Sequence, residues 1–322
     1  MKNSATILVS GGAGYIGSHT VWYLRQLGYR TIVFDNLSTG FRQDMLGDVN
    51  VVGDLQNPWD LKKVFAFEPI DAVIHFAANI AVGESVKEPL QYYRNNSGSL
   101  LNLLESMRGA GVKNLVFSST AAVYGEPKAN PISEESLIAP VNPYGHSKAL
   151  GEQVLRDCAQ AYGMNFVALR YFNACGKASG THLGEKHDPE THLIPLIMDA
   201  MEGRRPPLKV FGNDYATADG TCIRDYVHVL DLAQAHELAL KVLNQKTGSF
   251  SAFNLGNGQG YSVLSVIRAV EEVCGKSVPF EFAPRRAGDP AILVASSAKA
   301  REILGWNPEF QSIQSIIKTL VQ

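Results

Sequence analysis

Tyr144 and Lys148 stand four residues apart in Asn142-Pro-Tyr-Gly-His-Ser-Lys148, and a phenol beside an ammonium group can serve as a base near neutral pH. A free tyrosine has a pKa near about 10, so that role needs a depression of about three units, roughly 4 kcal/mol. An exposed ion pair, worth ~0–1 kcal/mol, does not supply it. The pair has to be partly desolvated and assisted by further positive charge, some of which the first turn of a helix provides. Taken alone, the spacing also describes an ordinary surface helix with a snorkelling lysine. Its context decides between the two.

That context is a helix start. Asn142 is suited to the N-cap and Pro143 to the first helical position. Apolar Leu150, Val154, Leu155 and Cys158 then give the helix a buried face, and residues four apart project from one side of it. Ser118-Ser-Thr120 ends the apolar run before it, placing hydroxyls where open α/β sheets put ligands. Thr120 is positioned to bridge a substrate hydroxyl and Tyr144.

A second constellation lies at the start of the chain. Gly11-Gly-Ala-Gly14-Tyr-Ile-Gly17 follows the first apolar run and opens a helical pattern. Glycines there let the backbone turn tightly against a pyrophosphate, which the helix N-terminus then binds. By itself the triplet could be no more than a tight strand-to-helix turn. Asp35, at the end of the second apolar run, stands where such folds hold an adenosine ribose. A carboxylate there repels a 2′-phosphate and no basic residue follows it immediately, so NAD is preferred over NADP. An oxidised nicotinamide would also add positive charge beside Tyr144. Asp54 reads equally as an acceptor for the adenine amino group and as an exposed loop aspartate.

The elements that must position these residues are short β-branched runs at 6–10, 31–35, 49–53, 72–76, 115–119 and 166–170, alternating with helical patterns at 15–27 and 96–108. Most runs are apolar throughout, as in strands covered on both faces. The expected fold class is therefore α/β: a Rossmann-type, doubly wound parallel sheet over residues 1–175, with a smaller α/β domain over 176–322. The chain is expected to cross between the two more than once. Helices are expected in the second part at 193–201, 229–243, 263–274 and 297–304, and short strands at 208–211 and 253–255.

Composition narrows the partners. A chain of 322 residues with 45% hydrophobic and 19% charged residues reads as a globular protein. A formal charge of −2 from 29 basic and 31 acidic residues gives no footprint for nucleic acid or an anionic membrane. A small molecule is the expected partner. Cys158, Cys175, Cys222 and Cys274 match neither zinc nor redox-pair spacing, which suggests free thiols in a reducing compartment. The N-terminal residues lack a secretory pattern and no run approaches the ~20 apolar residues of a membrane span. The expected location is cytoplasmic.

Around these residues the sequence resembles the extended short-chain dehydrogenase/reductase superfamily and, within it, the UDP-glucose (UDP-galactose) 4-epimerases. The likeness runs through Asp35-Asn-Leu-Ser38, His75-Phe-Ala-Ala78, Val82-Gly-Glu-Ser85, Ser118-Ser-Thr-Ala-Ala-Val-Tyr124-Gly, Leu169-Arg-Tyr-Phe-Asn173, Phe211-Gly-Asn-Asp-Tyr215, Arg224-Asp-Tyr226 and Ala283-Pro-Arg-Arg-Ala-Gly-Asp289. It implies an NAD that stays bound, with Thr120, Tyr144 and Lys148 as catalytic residues. The resemblance places Gly11, Gly14, Tyr15, Ile16, Gly17, Asp35, Asn36, Leu37, Ser38, Thr39, Gly40, Asp54, Leu55, Phe76, Ala77, Ala78, Ile80, Asn95, Tyr144, Lys148 and Phe172 at the cofactor. It places Thr120, Tyr144, Asn173, His192, Leu193, Lys209, Phe211, Arg224, Tyr226, Arg286, Asp289 and Leu293 at a UDP-sugar. His192 stands where many such enzymes have asparagine, and Ile80 where some have lysine. A homodimer built on residues 96–108 and 150–162 is also implied.

The resemblance leaves rivals. A nucleotide-sugar 4,6-dehydratase of the same superfamily looks for an acid beside the catalytic hydroxyl, where this chain has Ala121-Ala122. A non-catalytic NAD-sensing protein has no chemical need for Thr120, Tyr144 and Lys148 together. An epimerase that also accepts UDP-N-acetylhexosamines or UDP-pentoses differs in pocket size, for which Leu293 is the residue to watch. His182, His187 and His192 lie among Glu185, Asp188 and Glu190, but the five-residue interval fits neither a helix face nor the usual zinc spacing. No metal site is expected there.

Overall fold

Strand β1 (Thr6–Ser10) lies at the centre of the fold, with β2 (Arg30–Asp35) and then β3 (Val49–Val52) on one side of it. On its other side follow β4 (Ala72–His75), β5 (Asn114–Thr120), β6 (Asn165–Tyr171) and, last, a strand from much later in the chain. All seven run parallel, in registers such as Ile7 against Thr31 and Ala72. The computed structural model describes residues 5–127, 129–243, 247–286 and 289–321.

The strands carry near-continuous apolar runs because helices cover both faces. One face packs Val21 and Leu24 of α1 (Tyr15–Gln26) in a cluster with Ile7, Val9, Val33 and Ile74. The opposite face packs Leu8, Ile32, Phe34 and Val73 with α2 (Pro58–Phe67) and with the long helices that follow β4 and β5. After β4 come two short helices, α3 (Val82–Lys87) and α4 (Pro89–Tyr92), then a π-helical turn over Tyr93–Gly98 that merges into α5 (Ser99–Gly109). Helix α6 (Pro143–Tyr162) follows β5. Order reverses between β1 and β4, so the C-terminal edge of the sheet opens a crevice at that switch point.

Beyond β6 the chain forms β7 (Asn173–Cys175), α7 (Leu193–Met201), β8 (Leu208–Phe211), β9 (Ile223–His228) and α8 (Val229–Val242). Strand β10 (Phe250–Leu255), β11 (Gly260–Ser262), α9 (Val263–Cys274), β12 (Phe280–Ala283), β13 (Ile292–Leu293) and α10 (Ile313–Val321) complete it. A third apolar cluster gathers Ile194 and Ile197 of α7, Leu208 and Val210 of β8, Val266 and Val270 of α9, and Ile313, Ile316 and Ile317 of α10. Strand β9 pairs with β7, β11 and β13, and β12 pairs with β8. Among the described residues no helix is long and apolar enough to cross a membrane.

Several local expectations shift. The segment expected as a short strand of the second part at 253–255 is longer, and it pairs with β6 at the edge of the large sheet. Leu232, Ala235, Ala239 and Leu240 of α8 bury against the same cluster as α1, so the chain returns to the first layer through a helical crossover. The helix expected at 96–108 begins as the π turn over Tyr93–Gly98, and the one expected at 297–304 is π-helical over Ala300–Leu304. Both lie beyond reach of a 3.6-residue pattern.

Candidate active site

Helix α6 begins as its sequence requires. Asn142 Oδ1 accepts a hydrogen bond from Gly145 N–H at 2.8 Å, Pro143 fills the first turn, and Gly163 ends the helix with φ of 64°. A Cβ on Gly145 would sit 2.6 Å from Ala122 O and one on Gly151 2.9 Å from the Phe117 ring, so α6 lies very close against β5. One helix step of four residues advances about 6 Å and a two-residue strand step about 6.6 Å. The two elements therefore stay nearly in step.

Pairs of contacts follow from that match. The Tyr144 side chain is hydrogen-bonded to Thr120, while Lys148 Nζ donates to Ser118 O at 2.8 Å. Lys148 is 2% exposed and its Nζ lies 4.9 Å from the Phe117 ring centroid. Burial pushes its pKa down to about 7. Burial raises the partly buried Tyr144 phenol above its ordinary value, and the Thr120 hydrogen bond works in the opposite direction. The phenol oxygen therefore needs further positive charge before it can act as a base at neutral pH. Tyr171, hydrogen-bonded to Ser118 Oγ, lies near enough for a charge on Tyr144 to raise its own pKa further, after burial.

The floor of this site is a buried polar network that the sequence reading did not single out. Glu152, one more helical step from Lys148, accepts from Ser119 Oγ at 2.7 Å and from Arg170 Nε at 2.8 Å and Nη2 at 2.5 Å. Arg170 also donates to the Tyr124 hydroxyl at 2.8 Å, which donates to Asn254 Oδ1 at 2.6 Å. These bonds tie β5, α6, β6 and β10 together directly behind Thr120. The available signals were the interval Tyr144, Lys148, Glu152 and a lone charge inside the apolar run of β6. Asn96 was also missed: its amide accepts from Asn79 N–H at 2.8 Å and donates to Ser147 Oγ at 2.9 Å. The π turn supplies the rotation that aims it inward.

At the switch point the glycine loop is tightly constrained. Gly11 has φ of 76°, and a Cβ there would lie 2.5 Å from Ala77 N; one on Gly17 would lie 2.1 Å from Gly11 O. Gly14 caps α1, whose first-turn N–H groups, including those of Tyr15 and Ile16, have no intrahelical acceptor. Asp35 Oδ2 accepts from Ala13 N–H at 3.0 Å and Oδ1 from Leu37 N–H at 2.8 Å, which sets the carboxylate against the loop. Asn36 Nδ2 reaches Asp54 Oδ2 at 3.2 Å, and Ser38 N–H reaches Asn36 Oδ1 at 3.0 Å. Gly40 packs against Ala13, where a Cβ would meet the alanine Cβ at 2.8 Å. Phe76 and Ala77 donate their N–H groups to Ser10 O, and Asn95 Nδ2 donates to Asn79 Oδ1 at 3.2 Å. Ile80 is 45% exposed. The donor set, the bare backbone and the single carboxylate fit a dinucleotide with unmodified ribose.

The second layer brings other named residues to the same edge. Asn173 opens β7 opposite Tyr226 of β9. Asp225 accepts N–H bonds from Asn257 at 2.8 Å, Gly258 at 3.0 Å and Ala295 at 3.1 Å, fixing the 293–295 segment beside β9. Burial raises the Asp225 pKa to about 6. Leu293 thus aligns with Arg224 and packs with Phe172 against Val123, Tyr124 and Ile132. Arg224 is paired with Asp289, and the Arg286 guanidinium lies 4.1 Å from the Phe211 ring centroid. Leu193 starts α7 and His192 is its N-cap residue. Two residues stand apart: Tyr226 is 5% exposed inside the apolar cluster, and Lys209 lies exposed on the outer strand β8. Positions 287–288 of the arginine motif lie outside the described residues.

A parallel sheet with a glycine loop at its switch point and a threonine, tyrosine and lysine at the end of β5 defines a class. The chain belongs to the NAD dependent epimerase/dehydratase family, whose model matches residues 7–256. It is 50% identical over 313 residues to a UDP-glucose 4-epimerase of Halalkalibacterium halodurans, covering 97% of this chain and 93% of that one. It superposes with a TM-score of 0.95 on the crystal structure of a Brucella ovis UDP-glucose 4-epimerase in complex with NAD, at 47% identity, covering 98% and 97% of the two chains. A Bifidobacterium longum UDP-glucose 4-epimerase in complex with NAD+ and UDP gives a TM-score of 0.93 at 40% identity, covering 98% and 96%.

Proposed function

We propose that this chain is a UDP-glucose 4-epimerase, interconverting UDP-galactose and UDP-glucose with a permanently held NAD. The observation that carries the reading is the Tyr144–Thr120 hydrogen bond at the end of β5, on the sheet edge that also holds the glycine loop. NAD, when bound, supplies the acceptor for the C4 hydride and returns it to the other face of the sugar. Gly11, Gly14 and Gly17 admit its pyrophosphate, and Asp35 holds the adenosine ribose. Tyr144 takes the O4 proton and gives it back; Thr120 orients the hydroxyl. Lys148, buried beside Phe117, supplies positive charge at the nicotinamide ribose when protonated and in that form lowers the Tyr144 pKa.

Substrate recognition divides between a firm and a loose grip. Arg224, Arg286, Asn173, Leu193 and Phe211 hold the uridine diphosphate, since guanidinium groups match a pyrophosphate. The hexose is left free to turn over between the two hydride steps, because remote binding energy retains it. Leu293, packed on Phe172, bounds the sugar pocket and favours glucose and galactose. A dehydratase needs an acid at the reacting hydroxyl. The buried acid nearest β5, Glu152, is engaged by Ser119 and Arg170.

In this reading residues 1–175 hold the cofactor and 176–322 the nucleotide sugar, with α8 and β10 returning to the first layer. A homodimer through α5 and α6 would cover Leu101 and Leu150, which are 48% and 46% exposed. Four free thiols suit a cytoplasmic setting. The test is incubation of the purified chain with UDP-galactose and no added NAD. UDP-glucose is the expected product; a 4-keto-6-deoxy product would replace this reading with the dehydratase one.

A further inference from the structure

The segment between β7 and α7 folds so that four side chains converge, although their spacing gave no sign of it. Glu185, His187, Glu190 and His192 each bring one oxygen or nitrogen atom within 4.8 Å of all the others. His192 Nδ1 lies 3.0 Å from Glu185 Oε1 and 3.0 Å from Glu190 Oε1. His187 Nδ1 lies 3.7 Å from Glu185 Oε1 and 3.4 Å from Glu190 Oε2. The two imidazole rings are 4.7 Å apart between centroids. The carboxylates are sheltered, with side chains 7% and 12% exposed.

Hydrogen bonding alone serves this arrangement poorly. Each Nδ1 carries at most one proton, yet each faces oxygens of two different carboxylates. One cation at the centre would face an atom of each of the four residues and hold both carboxyl groups in their ionised form. Bonds of about 2.0–2.1 Å to a tetrahedral ion imply ligand-to-ligand separations of about 3.3 Å; the imidazole–carboxylate contacts span 3.0–3.7 Å and one atom of each residue lies within 4.8 Å of the others, so small side-chain adjustments close the set around an ion. Two imidazoles with two carboxylates select a first-row transition ion over magnesium or calcium.

We propose that Glu185, His187, Glu190 and His192 form a binding site for one divalent transition metal ion, with zinc as the best match. The ion has a structural role in the loop that bridges the two layers. Glu190 Oε1 also accepts the N–H groups of Thr191 and His192, which lead directly into α7. On the other side Tyr15, in the first turn of α1, donates its hydroxyl to Gly176 O at 2.6 Å. The ion therefore clamps the loop between the helix behind the glycine loop and the helix that starts at Leu193. The site lies off the proton and hydride path, and metal content is read without turnover, so the test does not depend on the reaction assigned above even though the resemblance puts His192 near the UDP-sugar.

The test uses the full chain without a histidine tag, stripped with a chelator and titrated with ZnCl2 or CoCl2. One equivalent per chain is expected, with a higher Tm on zinc addition and the visible bands of four-coordinate cobalt. His187→Ala and Glu185→Gln should each weaken binding by more than the ~10–100-fold that loss of a supporting partner costs. His182→Ala, on the same loop but outside the four, should bind as the unaltered chain does. Circular dichroism of each stripped variant confirms that it is folded. Absence of saturable binding, or binding unchanged in folded His187→Ala and Glu185→Gln, overturns the site.

Discussion

Thr120 and Tyr144 are joined by a side-chain hydrogen bond that lowers the phenol pKa against the rise caused by burial. Strand β5 ends at Thr120 and α6 begins one residue before Tyr144, so the bond links the two elements at the sheet edge. On the proposed mechanism it would make threonine a tuning group as well as an orienting one.

Thr120→Val should therefore shift the rising, acidic limb of the kcat profile to higher pH. Loss of a hydrogen bond to a charged group is worth about 1.5–3 kcal/mol, or about one to two pH units. Rates measured from pH 6 to 10 should show that rising limb displaced to higher pH, while Thr120→Ser restores it. An unshifted limb in Thr120→Val would mean that the bond does not tune Tyr144.

Lys148 makes a distinct contribution to stability. Burial holds its folded pKa at about 7, below the ordinary lysine value of about 10.4. Between these values the unfolded chain binds more protons than the folded one, so this group makes stability rise with pH across that window. Urea midpoints of the chain and of Lys148→Met should converge from pH 7 towards pH 10. A difference constant with pH would contradict the burial argument. His75, held near a pKa of about 3 by burial and then by Lys148, adds a loss of stability as pH falls below about 6.5.

The Glu152–Arg170 pair carries the floor of the site, with side chains 4% and 2% exposed. Breaking such a pair by removing one partner costs about 3–5 kcal/mol. Glu152→Ala should lower the unfolding free energy obtained from urea titration by that much, whereas Glu152→Met combined with Arg170→Leu should cost far less. Equal losses in the single and double variants would place the energy elsewhere.

Gly11→Ala tests the loop. Its φ of 76° and the 2.5 Å approach of a new Cβ to Ala77 N leave no room for a methyl group. The purified variant should lose retained NAD, measured by absorbance after acid release, with the large sheet intact by circular dichroism. Full retention would show that the loop does not cradle the cofactor.

Much of the sheet was legible because parallel strands covered on both faces carry unbroken apolar runs, and because Asn142 and Pro143 announce a helix. Tyr144, Lys148 and Thr120 could be assembled from those elements. Long-range pairing was not legible. Nothing in 250–255 alone says that this strand joins β6, since the crossover through α8 decides it. The π turn at 93–98 breaks the periodicity on which the reading relied, which hid Asn96. Glu152 and Arg170 read as ordinary charges until both proved buried. Glu185, His187, Glu190 and His192 met through loop geometry that no interval encodes.

The central claim is that C4 of the sugar is transiently oxidised and reduced again while the hydrogen stays within the enzyme. UDP-galactose deuterated at C4 should yield UDP-glucose that keeps deuterium at C4, in ordinary water and without added NAD, and Tyr144→Phe should slow that conversion by about 100-fold or more. Deuterium lost to solvent, or a Tyr144→Phe rate equal to that of the unaltered chain, would contradict the account.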